Sequence, residues 1–89
     1  EQIENGVYYS QVCLDGHLYN AMSNIGTRPS VDGRSRLLET HIFGFEGDLY
    51  GKTLEVDLKQ KIRDERRFTS LDELQQQLEK DAALCNPAI

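Results

Sequence analysis

Glu39 lies in the run Leu38-Glu39-Thr40-His41-Ile42-Phe43, ahead of Gly44, Gly47 and Gly51. A carboxylate fixed on a strand between apolar neighbours is placed to accept a proton as a general base, because the rigid backbone sets its distance to a substrate hydroxyl. Residues Arg36 to Phe43 alternate, with Leu37, Glu39, His41 and Phe43 on one face and Leu38, Thr40 and Ile42 on the other. The glycines then break the alternation, as a loop would. Taken by itself, the stretch is more simply a strand whose polar face meets water. Upstream, Asn24-Ile25-Gly26-Thr27-Arg28-Pro29-Ser30 offers one fixed cation and, read as a loop, backbone N–H groups that could cradle anionic oxygens. An ordinary connection shaped by Gly26 and Pro29 is the plainer reading, since no Gly-Lys-Ser/Thr phosphate motif is present. Downstream, Arg63, Arg66 and Arg67 alternate with Asp64 and Glu65 ahead of Phe68, which also fits a solvated charge run.

These residues need a scaffold, and the sequence predicts mostly strands. Gly6 to Leu14 is β-branched and aromatic enough for the first. Asp15-Gly16 is a strong hairpin turn, and His17 to Asn24 returns as the second strand. Gly26 to Arg34 reads as a polar loop, and Arg36 to Phe43 as the third strand. Lys52 to Ile62 alternates plainly, with Leu54, Val56, Leu58 and Ile62 facing one way and Glu55, Asp57, Lys59 and Lys61 the other. Ser70 with Glu73 forms a capping box, so a helix begins there. Leu71, Leu74, Leu78 and Ala82 recur at helical spacing through Cys85 and read as core, with Pro87 beyond the end. Strands first and one helix last predict an all-β antiparallel domain with a docked C-terminal helix.

Eighty-nine residues allow one domain, and 38% apolar content gives it only a small core. Such a domain is expected to lean on a ligand, a partner or a further segment. Fifteen acidic against ten basic residues give a net charge of −5, which argues against a general nucleic-acid binder. No apolar run approaches a membrane span and no signal-peptide pattern is present, so the expectation is a cytoplasmic protein with no membrane partner. Cys13 and Cys85 then read as reduced thiols, with one disulfide left open. No His/Cys metal cluster is present, and His17 and His41 fall on different elements.

The order NIG-x-RP, E-x-H, D-x-YG, R-x-E-x-x-F, S-x-x-x-L and a closing helical Asp81 resembles the riboflavin kinase (flavokinase) domain, from about Gly6 to Asp81. The resemblance implies a six-stranded Greek-key β-barrel, incomplete here, with a C-terminal α-helix. It implies transfer of the ATP γ-phosphate to the ribityl 5′-hydroxyl of riboflavin, with Mg²⁺, giving FMN and ADP. Carried onto this sequence, Glu39 is the catalytic base, Arg63, Arg66 and Phe68 contact the flavin, and Ile42 and Tyr50 line the nucleotide site. Phosphoryl transfer suits such a set, because it needs a base, cations and alignment more than covalent help. Phe68 offers a face to the isoalloxazine ring and the arginines offer donors and charge.

The family's N-terminal Pro-Thr-Ala-Asn segment, whose Thr and Asn organise Mg²⁺ and the ATP phosphates, has no counterpart here. The resemblance therefore implies an N-terminally truncated kinase domain over residues 1–89, itself silent. In bacteria it is normally preceded in the same chain by an FAD synthetase domain. An exposed barrel edge would invite a dimer. Two other classes stay open: a flavin-binding β-barrel module without catalysis, and a β-barrel interaction domain with no ligand.

Overall fold

A computed structural model describes residues 3–49, 51, 52 and 54–86. Four antiparallel strands, β1 (Gly6–Leu14), β2 (His17–Ser30), β3 (Gly33–Ile42) and β4 (Glu55–Arg63), precede one helix, α1 (Leu71–Cys85). The strand order is β3-β2-β1-β4. Three hairpin-connected strands with the fourth returning beside the first make a Greek key. The described residues form an open four-stranded sheet rather than a closed six-stranded barrel, with β3 and β4 as its outer strands.

Asp15 and Gly16 both take positive φ, 52° and 82°, as a two-residue turn matching the strand twist requires. Within the expected loop at Gly26 to Arg34 only Val31 and Asp32 form a turn; the rest is strand, because β2 runs on to Ser30 and pairs with β3 through Gly26↔Leu37, Arg28↔Ser35 and Ser30↔Gly33. From Asn24 to Ser30 the backbone is extended with no positive φ, so its successive N–H groups point to alternate sides and do not converge as a nest. Gly26 and Pro29 had signalled a turn, but Gly26 is buried and answers a crowding constraint, while Pro29 lies next to the hairpin tip, where strands tolerate it. The expected alternation from Lys52 is also broken. Pairing of β4 with β1 shifts register between Tyr9 and Ser10 and again between Val7 and Tyr8, as β-bulges do, and each shift moves the following side chains to the other face.

One rung crosses the whole sheet: Glu39 pairs with Asn24, Asn24 with Val7, and Val7 with Arg63. Directly paired residues point to the same side, so four positions far apart in sequence share one face. The opposite face carries Val12, Leu14, Ala21 and Ile25, all buried. Full burial of a Val, Leu or Ile side chain stabilises by about 1.5–3 kcal/mol, so so few of them make a modest core. Ser10, Ser23 and Thr40 run through it as a hydroxyl ladder, Oγ to Oγ at 2.8 Å and Oγ to Oγ1 at 2.9 Å.

Ser70 caps α1, its hydroxyl accepting from the Glu73 N–H at 3.2 Å. The capping box is half formed, since the Glu73 carboxylate accepts from Thr69 Oγ1 at 2.9 Å. The helix buries Asp81 and Cys85, not the expected leucine stripe, and Leu71 is 82% exposed. Pro87 and Tyr50 lie outside the described residues.

Candidate active site

A cleft of about 780 Å³ opens over the face that carries the Glu39 rung, roofed by the β4–α1 loop and the start of α1. Among its walls are Glu39, Arg28, Arg63, Arg66, Phe68 and Leu74. Its size lies in the range of small-molecule pockets. Each wall residue has an identifiable support.

Arg63 ends β4 and reaches under the loop to Asp81 of α1. Its Nε donates to both carboxylate oxygens at 3.0 Å and its Nη2 donates to Oδ2 at 2.8 Å. Gln77 adds a third donor group, Nε2 to Oδ1 at 3.0 Å. Asp81 is fully buried, and these hydrogen bonds are what make a carboxylate tolerable there. Arg63 Nη1 donates to the Asp64 carbonyl at 3.0 Å, so the guanidinium braces the loop with most of its donors. Its Cζ lies 5.9 Å from the Phe68 ring centroid.

Phe68 is half-buried, and Arg66 lies over its ring at 4.9 Å from the centroid. Arg66 is steadied in turn by Gln77, which accepts from Nη1 at 2.9 Å. The pair forms a cationic, aromatic shelf able to stack on a conjugated ring system. Beyond the loop, the Lys61 ammonium donates to Asp64 and Glu4, which raise its pKa above the ordinary value, while Lys61 holds the Asp64 carboxyl low.

Glu39 stands on an edge strand, 61% exposed at its side chain, with Oε1 accepting from Arg28 Nη2 at 3.3 Å. Asn24, its rung neighbour, holds a buried Oδ1 with no hydrogen-bond partner among the described residues. Leaving such an acceptor unpaired costs about 1–3 kcal/mol, a cost tolerated more readily at sites than in scaffolds.

A family model for riboflavin kinase, named Flavokinase, matches residues 1–88. The chain belongs to the riboflavin kinase family. It is 44% identical over 77 residues to a bifunctional riboflavin kinase/FMN adenylyltransferase of Haemophilus influenzae, covering 85% of this chain and 25% of that protein. The protein of the same description from Escherichia coli is 50% identical over 77 residues, with the same coverage, 85% and 25%. The chain thus spans about a quarter of the length of these curated relatives. Among solved structures, one titled macrolide-efflux protein, from Streptococcus pneumoniae, superposes with a TM-score of 0.82 at 36% identity. The match covers 91% of this chain and 27% of that one. No helix among the described residues is long and apolar enough to cross a membrane.

In this riboflavin kinase fold, four of the sequence-predicted site residues, Glu39, Arg63, Arg66 and Phe68, meet in one cleft. Ile42 does not line it; it pairs with the buried Ala21 on the face opposite the Glu39 rung. Sequence reasoning gave no role to Asn24 or to Asp81. A lone acid on an otherwise apolar helical stripe, between Leu78 and Cys85, was the signal for a buried ion pair. It also took Leu74 and Leu78 for core, yet both line the cleft.

Proposed function

We propose that this domain carries riboflavin kinase activity, moving the ATP γ-phosphate to the 5′-hydroxyl of riboflavin to give FMN and ADP. One observation supports the reading above others: a strand carboxylate, Glu39, faces the same cleft as the arginine–phenylalanine shelf, across 29 residues of sequence. The isoalloxazine ring stacks against the shelf that Arg66 and Phe68 form, and the ribityl chain runs toward Glu39. Glu39 takes the proton of the 5′-hydroxyl as that oxygen attacks phosphorus. Arg63 acts mainly by holding the shelf.

Ile42 and Tyr50 are proposed to line the nucleotide site. Ile42 lies one residue past His41 on the far face of β3, so ATP would approach Glu39 across the β3 edge with the flavin on the helix side. Among the described residues no group of three or more His, Cys, Asp or Glu side chains comes together, and the two glutamates at the cleft, Glu39 and Glu65, are both held by Arg28. No step is therefore routed through Mg²⁺. Spanning a quarter of the length of its curated relatives, the 89-residue chain assayed alone is expected to be silent.

The bifunctional names of the relatives support an FAD synthetase domain in the same protein, and two free cysteines accord with a cytoplasmic setting. The exposed edges of β3 and β4 offer a place for another chain or segment to pair.

A flavin-binding module without turnover is the rival, favoured by the ion pair that occupies Glu39. The deciding assay incubates the complete protein with ATP, Mg²⁺ and riboflavin and follows FMN. FMN formation is expected; flavin binding with no FMN would establish the rival.

A further inference from the structure

Arg28 donates to two carboxylates from different parts of the cleft. Nη2 reaches Glu39 Oε1 at 3.3 Å, and Nη1 reaches Glu65 Oε2 at 3.1 Å. A further bond from Nη1 to the Thr27 carbonyl, 3.2 Å, ties the guanidinium to its own strand. Glu65 belongs to the loop that also bears Arg66 and Phe68. Gly26 makes the arrangement possible, because a Cβ there would collide with Glu65 Oε2 and Arg28 Nη1.

We propose that Arg28 is a positioning residue that ties the flavin-bearing loop to Glu39, so that the loop's position sets the orientation of the base. The proposal rests on the riboflavin kinase reading given above. Exposed ion pairs contribute little to fold stability, so the value of this one lies in geometry. A guanidinium is planar, with its donors in a fixed fork, so moving one carboxylate turns the other. Misplacing a reacting group by about 1 Å can slow a reaction by about 10²-fold, so a slack fork costs rate before it costs stability. Glu65 touches no reacting atom, yet its loss should loosen Glu39 through Arg28.

The test uses the complete protein with Arg28→Gln, Glu65→Gln, both together, and Arg28→Lys. Single-turnover phosphorylation, flavin binding by fluorescence, and Tm are measured for each. Each single change is expected to slow phosphoryl transfer by about tenfold, with Tm moved by no more than about 2 °C. The double variant should be no slower than the slower single, since one linkage is lost either way. Arg28→Lys should not restore the rate, because one ammonium cannot fork two carboxylates. A Glu65→Gln rate equal to wild type, a double effect equal to the product of the singles, or rates that fall only with Tm would overturn the proposal. Phe68→Ala separates the two layers. If it weakens flavin binding while Glu65→Gln turns over normally, the linkage alone is wrong; if flavin binding is unchanged, the flavin reading fails and takes the linkage with it.

Discussion

The guanidinium of Arg63 and the carboxylate of Asp81 join the last strand to the single helix through three hydrogen bonds, at 3.0, 3.0 and 2.8 Å. Asp81 is wholly buried and Arg63 is 19% exposed at its side chain. Removing either partner strands a charge with little water to receive it. Asp81→Ala is expected to destabilise the domain by about 3 kcal/mol, near the lower bound for breaking a buried pair because Arg63 retains some solvent. Urea unfolding of the complete protein measures this; a loss below about 0.5 kcal/mol would show that the pair does not hold the helix.

Phe68 supplies the only aromatic ring on the cleft wall among the described residues other than the imidazole of His41. Phe68→Ala should weaken riboflavin binding by about 1–2 kcal/mol, through lost apolar area and ring stacking. Quenching of flavin fluorescence on titration gives the dissociation constant. An unchanged value would move the flavin elsewhere.

Cys85 is fully buried, its Sγ 3.9 Å from the Tyr8 carbonyl it faces as donor. Burial, and then the charge of Asp81, push its thiol up to about 11 from 9.0. A raised pKa means that its stability contribution is complete below pH 9.0 and is lost as pH rises through about 11, because the unfolded chain releases the proton first. At pH 8 the exposed Cys13 should therefore react with a thiol reagent at once, and Cys85 only on unfolding. Two fast thiols in native protein would contradict the packing of α1.

Much of this was legible in the residues. The Asp15-Gly16 turn, the Ser70 cap and the alternation around Glu39 are local signals, and local geometry obeyed them. The segment from Gly26 to Arg34 misled because glycine and proline mark both turns and crowded or edge positions of strands; only the presence of Glu65 and Arg28 against Gly26 separates the two. The helix misled for a related reason. Periodicity finds a stripe but cannot tell the dry core from a ligand cleft, and Leu74 and Leu78 line the second. Arg63 was legible as a site residue through family resemblance, whereas its partner Asp81 required the fold, since 18 residues separate them.

Glu39 is proposed as the base of the riboflavin kinase site. Glu39→Gln keeps the shape and can still accept from Arg28, but it cannot take the hydroxyl proton. The most direct measurement is single-turnover phosphorylation of riboflavin by the complete protein carrying this change, beside its flavin dissociation constant. The rate should fall by about 10² or more while flavin affinity changes little, because the base acts in the transition state. A wild-type rate in that variant would rule Glu39 out as the base.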